Sequence, residues 1–187
     1  MPIYEEILKD QKQPQGEITF ILHKGGEFNS ETQQLENAEI ISTKKEHNLI
    51  VDNASTLMAR RMYPGDALVN GMQYLAVGTG VGTGTTQAPQ TENITTAALR
   101  AELARKVFAS TSYLDANSAP VVGPTGKIQL TTTFLEAEAN GAIVEMGLFG
   151  GNATASANSG YLFNYKVFPV INKDNTVRLT VIWNLTF

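Results

Sequence analysis

The sequence predicts a mainly β fold, an antiparallel β-sandwich with one short α-helix and an extended N-terminal arm. Three observations carry this expectation. From Gly126 onward, apolar residues recur at every second position, the period of a half-buried strand. Turn-forming clusters, among them Asn140-Gly141, "NATASANSG" and "NKDN", break these runs at short intervals. One stretch, "DNASTLMARRM", shows helical spacing instead.

Residues 1–47 read differently from the rest. Met1 to Glu17 is polar, with Pro2 and Pro14. "ITFIL" (Ile18–Leu22) and "AEIIST" (Ala38–Thr43) are short strand candidates, separated by loop-like "HKGGEFNSETQQLEN". Such a segment is either a poorly ordered terminus or an arm that orders against a neighbouring subunit. The need of Ile18, Phe20, Leu22, Ile40 and Ile41 for burial favours the arm. The expected division is therefore a docking segment, 1–47, and a sandwich domain, 48–187.

In the helix, Asp52 or Asn53 is placed to cap, and Ala54, Leu57, Met58 and Met62 share one face. Tyr63-Pro64-Gly65-Asp66 ends it, since proline cannot continue the hydrogen-bond ladder. Arg60 and Arg61 meet the negative end of the helix dipole. "MQYLAVG" (Met72–Gly78) reads as a short buried strand. A helical turn is expected near Ala97–Ala101 and a strand over about Arg105–Leu114. In "GKIQLTTTFLEAEANG", Ile128, Leu130, Thr132 and Phe134 face one way, and Asn140-Gly141 reads as a hairpin turn into "AIVEMGLFG". "YLFNYKVFPV" follows, then a tight turn at "NKDN". The last run places Val177, Leu179, Val181, Trp183, Leu185 and Phe187 on one face, so the final strand is expected to lie fixed in the core.

Composition narrows the function. The 187 residues carry a net charge of -4 with a pI near 5.2, which gives no electrostatic footprint for nucleic acid. The absence of cysteine excludes disulfides, thiolate metal sites and a cysteine nucleophile. No apolar run reaches the roughly 18 residues that a membrane span requires. The acidic, polar start is unlike a secretion signal, which implies synthesis in the cytoplasm and makes the sequons at Asn53, Asn93, Asn152 and Asn184 fortuitous.

The loop "VGTGVGTGTT" invites a phosphate-binding reading and fails it. Counting from Gly78, Gly80 or Gly82, the sixth position of a dinucleotide fingerprint is Thr83, Thr85 or Gln87, never glycine. No lysine lies between Lys45 and Lys106, so no P-loop is present either. Gly78, Gly80, Gly82 and Gly84 are better read as letting backbone bend or pass close to another segment or subunit. His23 and His47 lack metal-ligand spacing, and no serine sits in a nucleophile elbow. Glu136 and Glu138, two apart on an expected strand and across the turn from Glu145, form the one carboxylate grouping with glycosidase or calcium-site potential. A solvated or subunit-pairing face is the commoner use of such a cluster. Catalytic, metal and cofactor-binding residues are accordingly expected to be absent, and a small-molecule ligand is not expected.

The order of segments carries a resemblance. Leu75 to Gly80 ("LAVGTG"), Arg105 to Phe108 ("RKVF"), Ala139 to Phe149 ("ANGAIVEMGLF") and Phe168 to Phe187 ("FPVINKDNTVRLTVIWNLTF") are similar to motifs of small virion structural proteins of tailed bacteriophages. The resemblance spans Asn48 to Phe187. It implies a non-enzymatic virion component, a homo-oligomer (trimer, hexamer or dodecamer) contacting other virion proteins. A collar, tail or baseplate accessory or fibre-attachment subunit fits first, and a head decoration protein second. The rival of another class is a carbohydrate-binding or hydrolytic receptor-binding domain built on Glu136, Glu138 and Glu145. It lacks exposed clustered aromatics, and Trp183 reads as core.

Overall fold

The protein is described by a computed structural model over residues 15–29, 34–63, 70–80 and 90–187. Among the described residues, thirteen strands and one helix follow in chain order: β1 (Gln15–Lys24), β2 (Glu27–Asn29), β3 (Gln34–Glu36), β4 (Glu39–His47), β5 (Leu49–Ile50), α1 (Asp52–Met62), β6 (Asn70–Gly78), β7 (Glu102–Val107), β8 (Ser110–Leu114), β9 (Pro120–Val121), β10 (Lys127–Phe134), β11 (Gly141–Gly151), β12 (Tyr161–Lys173) and β13 (Val177–Thr186). They make a six-stranded sheet ordered β4-β1-β13-β10-β8-β9, a five-stranded sheet ordered β5-β12-β11-β6-β7, and a small β2-β3 ribbon. The strand pairings are antiparallel, and the two large sheets pack as a β-sandwich.

β13 lies inside the larger sheet and behaves as its alternation predicts. Val177, Leu179, Val181, Trp183 and Leu185 are buried, and Thr180, Ile182, Asn184 and Thr186 on the other face are half-buried. Phe187 departs from the pattern: it lies beyond the strand and is 47% exposed, its N–H bonded to the Gly126 carbonyl. From the opposing sheet, Leu75, Val77, Ile143, Met146, Leu148 and Phe163 close the main core, and α1 adds Ala54 and Leu57. A second cluster, including Phe149, Leu162 and Tyr165, occupies the other face of the five-stranded sheet beneath Leu99 and Ala153.

The expected docking arm gives way for residues 15–47. β1 runs between β13 and β4, with Ile18 opposite Trp183 and Phe20 opposite Val181. Ile18 and Phe20 are buried in the chain's own core and Leu22 packs against it. These residues looked too sparse for a core because their partners sit at the opposite end of the sequence. The 47/48 boundary is a crossing between sheets: the Asn48 N–H bonds the Gly16 carbonyl, and its Oδ1 accepts from Trp183 Nε1 at 3.2 Å. Residues 1–14 lie outside the described set.

Further expectations are corrected. Asn140-Gly141 and "NKDN" are not hairpin turns, because β10 and β11, and likewise β12 and β13, belong to different sheets. Each turn carries the chain across the sandwich, and the positive φ falls on Ala139 (52°) rather than Asn140. Ala97–Ala101 is not helical. Asn93 Oδ1 accepts from the Thr95 N–H and hydroxyl, giving a polar turn in place of a helical one, and β7 starts at Glu102. The expected strand over 105–114 is split, since Phe108 and Ala109 take the chain from one sheet to the other. In α1, neither Asp52 nor Asn53 caps; Val51 holds the cap position without a side-chain bond, and Asp52 N–H donates to the Ile94 carbonyl. Ala54 and Leu57 are buried as expected, but Met62 is 83% exposed. Pro64 to Asp66 lie outside the described residues.

Candidate functional site

Two motif segments meet where β6 ends. Glu145, on β11, has no exposed surface, yet every contact to its carboxylate is specific. Oε1 accepts from the Ala101 N–H at 2.8 Å, and Oε2 accepts from the Arg100 N–H at 3.1 Å and the Tyr165 hydroxyl at 2.6 Å. Burial and the neighbouring carboxylate push the Tyr165 hydroxyl well above its usual value, so it remains a donor. Gly78 makes room: a Cβ there would sit 2.6 Å from Glu145 Oε1 and 2.7 Å from the Ala101 carbonyl. The glycine thus permits close passage of another backbone, as its sequence context predicts. Gly80 adopts a φ of 60°, a conformation that glycine reaches without strain. Gly82 and Gly84 lie outside the described residues.

A second buried group fastens the 152–160 loop to β7. Arg105 and Glu102, each with a side chain only 3% exposed, pair at 2.6 Å and 2.8 Å through two guanidinium nitrogens. Arg105 Nη1 also donates to the Thr154 and Ser159 carbonyls, and its guanidinium lies 4.5 Å from the Phe149 ring centroid. The Asn158 N–H donates to Glu102, and its side chain exchanges two hydrogen bonds with the Leu99 backbone. Sequence reading missed this clamp. Arg105 was visible only as part of a motif, and nothing local ties it to a loop some fifty residues on.

The three carboxylates of the sugar- or ion-binding reading do not converge. Glu136 and Glu138 lie in the 135–140 turn, not on a strand, while Glu145 is sealed in its own pocket. Arg178 Nε lies 2.6 Å from Glu136 Oε1, an interaction that holds the Glu136 carboxyl below its usual range. Burial opposes the charge on Glu138, but Lys106 at 2.6 Å and the Leu135 N–H outweigh it and lower its carboxyl. Lys173, 3% exposed, donates to the Leu135 carbonyl and to Asn140 Oδ1, tying the turn to β12. Among the described residues no group of three or more metal-ligating side chains forms a metal site. His23 is buried against Arg178, and His47 ends β4.

These networks hold backbone; the exposed features lie elsewhere. Among the described residues β4 is a nine-residue edge strand, and Ile40 (60% exposed) and Ile41 (48%) project from it. Val170, also exposed, lines the groove of about 560 Å³ between β12 and β4, with Phe20, Leu22 and Leu179 at its floor. Of the predicted interface residues, then, Ile40 and Ile41 are accessible to a partner, whereas Ile18, Phe20 and Gly78 are committed within the chain. No protein-family model, curated protein or solved structure matches the chain.

Proposed function

We propose that the chain is a non-enzymatic structural subunit of a tailed-bacteriophage virion, a collar, tail or baseplate accessory or fibre-attachment subunit that works as a homo-oligomer. The motif resemblance supplies the particle, and the edge strand β4 supplies the observation that favours assembly. Unpaired strand edges are sites for pairing with another chain, and monomeric proteins blunt them with charge, proline or bulges. β4 carries Lys44 and Lys45 at one end, but its other end presents two adjacent isoleucines to solvent. The charged groups that resemble catalytic or ligand-binding residues are engaged in tying turns and loops to strands. A scaffold with its polar groups used this way suits a building block better than an enzyme.

Native mass spectrometry of the purified chain tests the contact. The wild type is expected as a trimer, hexamer or dodecamer, and Ile40→Lys with Ile41→Lys is expected to shift it to monomer while leaving its circular dichroism unchanged. A double variant that retains the wild-type oligomer would remove β4 from the interface, and a monomeric wild type would remove the homo-oligomer.

A further inference from the structure

Lys173 is a buried cation whose hydrogen-bond partners carry no charge. At 3% exposure its Nζ donates to the Leu135 carbonyl at 2.7 Å, Asn140 Oδ1 at 2.9 Å, the Glu136 carbonyl at 3.3 Å and the Asp174 carbonyl at 3.4 Å. Among the described residues no carboxylate lies within ion-pair distance of it. A buried ammonium held only by neutral oxygens is costly. Burial accordingly lowers the Lys173 pKa, and the charges of Glu136, Glu138 and Asp174 oppose this without outweighing it. Loss of a proton would leave a nucleophilic amine.

Asn140 brings an electrophile to that amine. With Oδ1 2.9 Å from Nζ and a C=O bond of about 1.2 Å, Nζ lies within about 4 Å of Asn140 Cγ. The turn carrying Asn140 is fixed on several sides. Glu138 Oε2 accepts from the Leu135 N–H and from Lys106 Nζ, the Glu138 N–H donates to the Leu135 carbonyl, Arg178 holds Glu136, and Ala139 is buried. Amine and amide are thus held close to attacking distance, the condition under which intramolecular reactions gain most. Asn140 itself is exposed, so a leaving group at Cγ reaches solvent.

We propose that Lys173 and Asn140 form an intramolecular amide cross-link, a self-modification that joins the β10–β11 crossing to the end of β12. Lys173 Nζ bonds to Asn140 Cγ as the Cγ–Nδ2 bond breaks. Nδ2 leaves as ammonium, taking up the two protons that the lysine ammonium gives up, with water at the exposed Asn140 as the relay. No oxidant, reductant or further reactant enters, and a buried charge is replaced by a neutral amide. The cross-link lies within one subunit and is independent of the β4 contact and of the virion reading.

Intact-mass measurement on the full chain, after prolonged incubation of the folded protein in mildly alkaline buffer, reads the reaction as loss of one ammonia per chain. Trypsin then identifies its source. A link at Lys173 blocks cleavage there and joins the Ile128–Lys166 peptide to Val167–Arg178. The joined species is expected to account for most of the folded wild type, and to be absent from Lys173→Met, from Asn140→Ala and from wild type kept unfolded in urea. The wild-type result decides even where a variant fails to fold. A folded chain that keeps its full mass would overturn the proposal. So would loss of ammonia with the two peptides separate, which marks ring closure onto the Gly141 nitrogen, or a carboxylate at position 140, which marks hydrolysis.

Discussion

Glu145 and Gly78 act as one unit, and each is needed for the other to make sense. The carboxylate replaces backbone acceptors for two N–H groups at the end of β6, where the pairing of β6 with β7 shifts register. Glu145→Ala would leave these donors and the Tyr165 hydroxyl buried without partners, a loss of about 3 kcal/mol or more. Gly78→Ala presses a methyl onto the same carboxylate, at a cost of about 1–3 kcal/mol for overpacking. Because both act on one contact, chemical denaturation of the double variant should show a loss clearly smaller than the sum; strict additivity would deny the coupling. The glycine's role was legible from the sequence, since four alternating glycines after a strand imply close backbone approach. The carboxylate's role was not, because Glu145 seemed to share a face with Glu136 and Glu138 until the chain was seen to cross between sheets. His23 makes a second prediction at this scale. Burial first, and then the Arg178 charge, lower its pKa below the ordinary histidine value. The unfolded chain therefore binds the proton more readily, and stability present above about pH 6.5 is lost as pH falls toward the folded-state value. Denaturation midpoints for wild type should drop over this range, and His23→Gln should flatten the drop; parallel curves would contradict it.

At the scale of elements, period and turn chemistry located the strands but not their partners. β13, β10 and α1 stand close to where alternation and helical spacing put them, because those signals are local. Pairing is not local. β1 joins β13 across nearly the whole chain, and Asn140-Gly141 has the composition of a hairpin while serving as a crossing. The same reasoning separates an arm from a strand by experiment. A docking arm could be removed without harm to the domain, whereas β1 supplies Ile18 and Phe20 to the core and lies between two strands. A chain starting at Asn48 should therefore lose cooperative thermal unfolding, since it exposes the inner edge of β13 and the Trp183 face. A native sheet spectrum with a sharp transition would restore the docking-arm division.

The molecule as a whole is a sandwich whose buried ionic and polar groups serve its own crossings and loops, with Ile40 and Ile41 exposed on β4 and Phe187 exposed beyond β13. The mainly β architecture was legible because strand alternation and turn clusters agree along most of the chain. The candidate contacts were only half legible: Ile40 and Ile41 were recognised as needing burial, but nothing in their neighbourhood showed that Ile18 and Phe20 would be buried at home. As a virion subunit, this chain is proposed to be built into a particle. Quantitative mass spectrometry of purified phage particles, with isotope-labelled peptides of this chain as standards, tests it most directly. A collar, tail or baseplate subunit is expected in every particle at a low copy number divisible by three. On the order of hundreds of copies would move it to the head surface as a decoration protein, and absence from purified particles would contradict the claim.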